Sequence, residues 1–308
     1  MSGSPTVLID TNLPFPLFRR GKVRDVYDLG DELLIVSTDR ISAFDVVLPC
    51  GIPDKGKVLN QLSAFWFKKT AHILPNHLIK VIDGNVILNE VKNLSGQSGD
   101  LPDFLIARSM LVAKAERLPV ECVVRGYLSG SAWTEYKETG KVGDINLSTG
   151  MRESQELSQP VFTPTTKSDT EHDRPLTGQD VRGLGIGDIF KDLERKSLLI
   201  YSYARDYARR RGIIIADTKF EFGFINGQIA IIDELLTPDS SRFWDASQYE
   251  VGHSQPSFDK QPVRDWLVDS GWDKKPPAPM LSPEVIGKTS ERYREVYSKL
   301  TGGVLKGK

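Results

Sequence analysis

GIIIADTKFEFGFINGQIAIIDELLTPDSSRFWD, residues Gly212 to Asp245, decides how the rest of the chain is read. The run Ile213-Ile214-Ile215-Ala216 is short, apolar and β-branched, the composition of a buried strand. The next segment alternates, with Phe220, Phe222 and Phe224 on one face and Lys219, Glu221 and Gly223 on the other. Asn226-Gly227 predicts a tight hairpin turn, and the return strand runs from Gln228 to Leu235 before a polar loop. Lys219, Glu221 and Asp233 stand among apolar residues, where charge needs a partner or a metal. Two carboxylates with phosphate oxygens form a ligand set for Mg²⁺, and a lysine beside them suits a phosphate. The alternative is a solvated hairpin with ordinary surface charges. A strict two-residue loop pairs Ile225 with Gln228, sets Glu221 opposite Ile232 and turns Asp233 to the other face. One extra loop residue or a bulge sets Glu221 opposite Asp233, and the shared metal site requires that second register.

Composition narrows the class. A chain of 308 residues and 34.4 kDa exceeds one comfortable core, so two packed lobes are expected. Forty basic and 41 acidic residues give a net charge of −1, which advertises neither nucleic acid nor an anionic membrane. No apolar run approaches the ~20 residues of a membrane span. The opening MSGSPTVLIDTNLPFP lacks a charged region followed by an apolar core, so no signal peptide is expected. Two cysteines, Cys50 and Cys122, build no disulfide framework, and with four scattered histidines they offer no zinc spacing. Cys122 reads as a buried structural thiol and the compartment as reducing cytosol.

Upstream of the hairpin, residues 1–18 read as a loosely docked arm. Arg19-Arg20-Gly21-Lys22-Val23-Arg24 then begins a strand with a cationic face. Glycine followed by strand cations can cover phosphates, although a basic edge strand has the same look and the P-loop pattern is missing. Leu33–Ser37 and a strand ending at Leu48 flank DRISAFD (39–45), either a polar site at strand ends or a charged turn. Val58, Leu59, Leu62, Phe65, Trp66 and Lys69 form a core-facing helical stripe. Residues 92–103 are a loop by composition, followed by strands at 104–113 and 120–124 and a lobe boundary between them. Arg125-Gly126-Tyr127-Leu128-Ser129-Gly130-Ser131 follows the second strand and leads into a short helix ended by Gly140, with Ser131 as N-cap. A strand end, glycines and a helix N-terminus make an anion site to which Arg125 adds a fork, unless this is a plain cap beside an exposed arginine. Residues 141–178 show little regular pattern, and the polar stretch 163–173 has the length of a functional or disordered loop. Asp188–Arg211 is the longest helix. Two more follow, around 258–269 and from Ser282 (N-cap) and Pro283 to Leu300. Two cationic glycine sites and a carboxylate–lysine hairpin together argue for phosphate chemistry on two ligands.

IIIADTKFEFG, PVECVVRGYLSGSAW, RRGKVRDVY, DRISAFD and DELLTPDSSRFWD closely resemble the SAICAR synthetase family of purine biosynthesis, in its longer, single-function form. The resemblance implies an α+β fold of two ATP-grasp or kinase-like lobes, with antiparallel sheets, packed helices and ATP in the inter-lobe cleft. It implies a nucleotide-covering lobe at 1–114, a substrate- and metal-binding lobe at 115–255 and a helical segment at 256–308. The implied reaction joins 5-aminoimidazole-4-carboxylate ribonucleotide (CAIR) to L-aspartate with ATP and Mg²⁺, through an acyl phosphate, giving SAICAR, ADP and phosphate. Gly21, Lys22 and Arg24 match the phosphate-covering turn, and Lys114 and the segment through Glu121 the crossing where adenine lies. Glu221 and Asp233 match the metal ligands and Lys219 the neighbouring phosphate-side lysine. Arg125, Ser131 and Arg242 match the CAIR phosphate site. Asp39, Ser42, Asp45, Lys167 and Asp173 match polar positions around the imidazole and aspartate sites. The implied partners are small molecules rather than nucleic acid or membrane, in a cytoplasmic monomer or homodimer. Two other readings stay in view. One is an ATP-dependent carboxylate–amine ligase with another acceptor. The other is a non-catalytic nucleotide-binding module, which would keep Lys22 but need not keep Glu221 and Asp233.

Overall fold

The computed structural model describes residues 7–84, 102–167, 174–258 and 260–307. It is an α+β fold built on two sheets whose strand pairings are all antiparallel. The first sheet has the order β1 (Leu17–Arg20), β2 (Arg24–Asp28), β3 (Glu32–Ser37), β7 (Ser109–Ala113), β6 (Leu78–Val81). Between β3 and β6 the chain makes the hairpin β4 (Arg40–Ala43) and β5 (Val46–Gly51), then the helix Lys55–Thr70. The second sheet has the path β11 (Glu156–Phe162), β8 (Glu116–Tyr127), β13 (Ile213–Ile225), β14 (Gln228–Ile232). Short β12 (Thr165–Thr166) adds to β8, and β15 (Ser241–Asp245) adds to β13.

The two strands read from Gly212 to Ile225 are one strand of 13 residues. One edge of β13 pairs with β8; the other is shared by β15, along residues 213–218, and β14, along 221–225. The eight-residue connection from Asp233 to Ser240 therefore leaves the sheet in the gap between two strands that cover the same edge. The pairing of β13 with β15 carries a register shift of its own between Ile215 and Asp217.

The helix Gly187–Arg209 lies across β13 and β8 and buries Leu193, Ile200, Tyr201, Ala204 and Ala208, the stripe that its 3.6-residue period requires. The main apolar core runs from β3 and β7 through Val58, Leu62, Trp66 and Phe67 to β8 and β13. Lys69 extends over the Phe65 and Tyr207 rings, as the snorkelling position predicts. Cys122 is buried there, and burial pushes its thiol well above the ordinary range. The last helix, Pro283–Thr301, is capped by Ser282, whose hydroxyl accepts from the Val285 amide at 3.3 Å, and buries Thr289, Tyr293, Val296 and Leu300. Among the described residues no helix is long and apolar enough to cross a membrane.

Three expectations change. The arm is docked rather than loose from residue 7 on: Leu13 and Phe15 pack with Tyr27 and Leu34, and the Thr11 hydroxyl donates to Asp25 at 2.6 Å. Residues 141–166 form a small hairpin of β9 (Lys141–Val142) and β10 (Ile145–Asn146) and the strands β11 and β12, whose short, broken pairings hide the period. DRISAFD is strand β4 and the hairpin tip rather than a loop between strands. Of the loop expected at 92–103, residues 92–101 lie outside the described residues.

Gly126 shows how tightly the long helix seats. The Tyr201 hydroxyl donates to the Ile215 carbonyl at 2.7 Å, and a Cβ on Gly126 would lie 1.9 Å from that hydroxyl. Gly126→Ala should therefore cost about 2 kcal/mol through overpacking, read as a lower urea midpoint. Adding Tyr201→Phe should recover part of the loss, although it removes a hydrogen bond. An unchanged midpoint in the single variant would contradict this packing.

Candidate active site

The hairpin adopts the strict two-residue loop. Asn226 and Gly227 have φ of 50° and 76°, Ile225 pairs with Gln228 and Glu221 pairs with Ile232. This is the register that was expected to send the two carboxylates to opposite faces. Asp233 escapes the alternation because it is no longer in the strand: its φ is +70°, and the chain turns out of β14 there. An aspartate tolerates the left-handed region better than most residues. Glu221 and Asp233 consequently line one cavity of about 940 Å³, and the requirement for a bulged register is corrected.

The floor of the cavity is the face of the second sheet that carries Asp217, Lys219 and Glu221 of β13, opposite Arg125, Val123 and Glu121 of β8. Glu121 and Glu221 are thus directly opposed like charges, a pairing that is unfavourable by itself. Lys167, brought in behind β12, resolves it by donating to Glu121 and, at 2.9 Å, to Glu221. Lys219 donates to Glu121 at 2.9 Å. Burial raises the Glu121 carboxyl, but Lys219 and Lys167 override it and hold the group below its ordinary range. Burial, and then the Asp233 charge, push the Glu221 carboxyl up against the pull of Lys167. Burial works the same way on Asp233, where Arg24 overrides it and keeps the carboxyl low. The Arg24 guanidinium donates to Asp233 at 2.6 Å and to Glu234 at 3.4 Å.

The facing wall is the turn before β2. Its shape is set by Arg40 of β4, which is buried against Asp25 at 2.7 Å and donates to the carbonyls of Gly21 (3.0 Å) and Lys22 (3.2 Å). Gly21 N donates to the Arg24 carbonyl at 2.7 Å, closing the turn. Lys22 reaches Asp45 at 2.5 Å. Phe44 and Asp45, at the β4–β5 tip, have φ of 50° and 65°, a two-residue turn conformation that places Ser42, Phe44 and Asp45 on the cavity wall.

Further along the same sheet face, Arg125, Arg242 and Asp217 cluster. Asp217 accepts from Arg125 at 3.5 Å and lies 3.4 Å from Arg242. Arg125 also donates to the Ser131 hydroxyl at 3.4 Å, and Arg242 to the Ser129 hydroxyl at 2.9 Å. Ser131 is the first residue of the helix Ser131–Thr139 rather than its N-cap. That position is Gly130, with φ +57°, where a Cβ would lie 2.2 Å from Arg242. Only glycine leaves the guanidinium this room. Asp217 and Glu221 are four residues apart on one strand, roughly 13 Å.

Of the residues singled out from the sequence, Gly21, Lys22, Arg24, Ser42, Asp45, Glu121, Lys167, Lys219, Glu221 and Asp233 line the cavity. Arg125, Ser131 and Arg242 form the neighbouring cluster. Lys114 does not line it and pairs with Asp28 at 2.8 Å. Asp39 is buried apart from it, accepting from the Leu8 and Gly56 amides and facing Arg108 at 3.1 Å. Asp173 lies outside the described residues. Sequence reasoning passed over Arg19, Arg117, Glu234, Asp239, Lys260 and Arg264, which also line the cavity. Glu234 adjoins Asp233 and was the one a closer look could have found.

The donor set fits a hard cation in a limited sense. Glu221 and Asp233 sit close enough to perturb each other, but among the described residues no group of three or more His, Cys, Asp and Glu is arranged to hold a metal. A Mg²⁺ here would need oxygens from a bound phosphate, which is its usual preference.

A family profile described as SAICAR synthetase matches residues 17–279. The phosphoribosylaminoimidazole-succinocarboxamide synthase of Thermodesulfovibrio yellowstonii is 50% identical over 299 residues, covering 96% of this chain and 99% of that protein. Among solved structures, the SAICAR synthase of Saccharomyces cerevisiae complexed with SAICAR has a TM-score of 0.85 at 40% identity, covering 96% of this chain and 99% of that one. A SAICAR synthetase (Type-2) in complex with ADP has a TM-score of 0.67 at 27% identity, covering 94% and 99%. The chain belongs to the SAICAR synthetase family.

Proposed function

We propose that the cavity holds ATP and Mg²⁺ between two ATP-grasp or kinase-like lobes, residues 1–114 and 115–255, with 256–308 packed on them. Membership of the family makes the chain a carbon–nitrogen ligase of purine biosynthesis, which forms an amide bond between CAIR and L-aspartate. The observation that carries the site reading is the convergence of Glu221 and Asp233 with Arg24, Lys167 and Lys219 on one cavity. Its cations are already paired with the carboxylates, so an incoming polyphosphate would exchange partners rather than meet bare charge.

In this reading the Gly21–Arg24 turn covers the phosphates, with Lys22, Arg24 and Lys219 neutralising them, and the stretch from Arg117 to Glu121, rather than Lys114, borders the adenine. Glu221 and Asp233 would hold the metal, whose chemistry is to neutralise phosphate oxygens as a Lewis acid. Arg125, Ser131 and Arg242 take the CAIR phosphate, and the sheet face leads from there toward Glu221. A carboxylate oxygen of CAIR attacks the γ-phosphorus and ADP departs, leaving an acyl phosphate. The L-aspartate amine then attacks the carbonyl carbon, phosphate departs and the nitrogen loses a proton. Both steps ask for positioning and charge neutralisation rather than a protein nucleophile. Ser42, Asp45 and Lys167 border the imidazole and the amine. Such an enzyme serves small-molecule partners in the cytoplasm.

The decisive assay is ADP release from Mg-ATP with CAIR and L-aspartate omitted in turn. Release should need both for full turnover, with SAICAR identified by mass; ATP binding without release under any combination would overturn the reading. Asp233→Asn should keep the fold, since asparagine also tolerates positive φ, and lower kcat by about 100-fold or more. Arg242→Ala should raise the KM for CAIR by roughly 10- to 100-fold, the loss of a charge-assisted contact, with little change in the KM for ATP. Unchanged steady-state kinetics in either variant would contradict its assigned role.

A further inference from the structure

Asp233 leaves β14 with a left-handed backbone, and something must hold it there once the strand pairing has ended. The edge of β14 away from β13 is lined by Pro75, Asn76 and His77. The Ile231 amide donates to the Pro75 carbonyl at 3.0 Å, and the His77 amide donates to the Ile231 carbonyl at 3.0 Å. Asn76 braces this segment against the helix Lys55–Thr70 by donating to the Phe67 carbonyl at 3.1 Å. The next residues are β6, and the His77 carbonyl accepts from the Ala113 amide of β7 at 2.8 Å. His77 therefore joins the first sheet to the last residues of β14, next to the point where Asp233 departs.

His77 is 4% exposed, and its ring meets Phe67 edge-on at 5.2 Å. The ring hydrogen-bonds the Asp233 backbone. Burial pushes the imidazole down to about 4 against the pull of the Asp233 charge, so at neutral pH it carries a single N–H. Nε2 has no partner among the described residues, which leaves Nδ1 to donate to the Asp233 carbonyl. A buried ring nitrogen without a partner is unfavourable, and a phenylalanine in the same apolar pocket would not have one. The bond to Asp233 is what the histidine adds.

Asp233 is thus held at two ends, its carboxylate by Arg24 at 2.6 Å and its backbone by His77. Ser63 steadies the chain just beyond, accepting from the Leu235 amide at 3.3 Å. When Arg24 turns to an incoming phosphate, the direction of the carboxylate depends on the backbone alone. We propose that His77 is the positioning residue for Asp233: its Nδ1–H fixes the peptide that leaves β14 and so keeps the carboxylate aimed into the cavity beside Glu221. This rests on the ligase reading above. His77 does not line the cavity and acts only through Asp233. Groups that orient a metal ligand from behind set the affinity of the metal.

The test measures Mn²⁺ affinity in the presence of ADP, from the electron paramagnetic resonance signal of the free ion, with kcat and the KM for CAIR. It compares the full-length protein with His77→Phe, His77→Asn and His77→Gln. His77→Phe should weaken Mn²⁺ binding by about 10- to 100-fold and lower kcat by a similar factor, while the KM for CAIR holds. Its urea midpoint should fall no further than that of His77→Asn. The His77→Asn amide nitrogen reaches the Nδ1 position and should restore most of the Mn²⁺ affinity and kcat. The His77→Gln amide sits near the Nε2 position and should not. Wild-type Mn²⁺ affinity in folded His77→Phe, or equal losses in all three variants, would overturn the inference and leave the ligase reading standing. If His77→Phe does not fold, equal Mn²⁺ affinities in His77→Asn and His77→Gln would overturn it. A wild-type protein that releases no ADP from Mg-ATP with CAIR and L-aspartate would overturn both.

Discussion

Two glutamates placed directly opposite one another, Glu121 on β8 and Glu221 on β13, are the constraint around which the site is arranged. Side by side on a buried sheet face they repel, and their burial is unfavourable unless cations answer it. Lys167 answers both and Lys219 answers Glu121, so the chain that delivers Lys167 must lie against β8. Asp233 adds a third carboxylate and Arg24 the matching cation from the other sheet. The first and second sheets are therefore tied together by charge at the cavity as well as by the apolar core behind it. Removing any one of these groups would leave a partner uncompensated, which is more costly than the pair is stabilising.

The charges fall into two sets with different burial. Asp25 with Arg40, Asp39 with Arg108 and Asp239 with Lys55 are enclosed, and each holds backbone or another side chain in place. Arg40 is the clearest case, because its guanidinium binds the carbonyls of Gly21 and Lys22 and so forms the turn that faces the cavity. Lys22 with Asp45 and Lys219 with Glu121 are more open, with side-chain exposures of 53% and 38% for the two lysines. Open pairs exchange partners with an incoming anion at small cost, and enclosed ones do not. A site for polyphosphate needs the first kind at the wall and the second kind behind it.

Much of this was legible in the sequence because it is local. The alternation of Phe220, Phe222 and Phe224 with Lys219 and Glu221, the Asn226-Gly227 turn, the Ser282 cap and the helical stripes all depend on spacings of a few residues. The cation–glycine stretches before β2 and at the end of β8 were legible for the same reason. What could not be read was set by distance along the chain. Ser131 reads as a cap until Gly130 is seen giving room to Arg242, 112 positions further on. Asp39 and Arg40 look alike in DRISAFD, yet one is enclosed by the Leu8 and Gly56 amides and the other shapes the Gly21 turn. Lys260 carries no local signal at all, since its meaning comes from Asp239 and, through it, from Lys55 and Tyr293.

The hairpin register shows why a correct local rule led to a wrong geometric requirement. Period-two alternation holds only while the backbone stays extended, and β14 ends at Ile232. With φ at +70°, Asp233 leaves the ladder, and the segment that follows must reach β15 on the same edge of β13. A bulge would have kept Asp233 in the sheet, opposite Glu221, and committed its carboxylate to the sheet surface. The left-handed exit does something a bulge does not. It releases the next residues as a connection whose side chains Glu234 and Asp239 also reach the cavity, so one backbone departure supplies three acidic groups from a single eight-residue segment, 233–240.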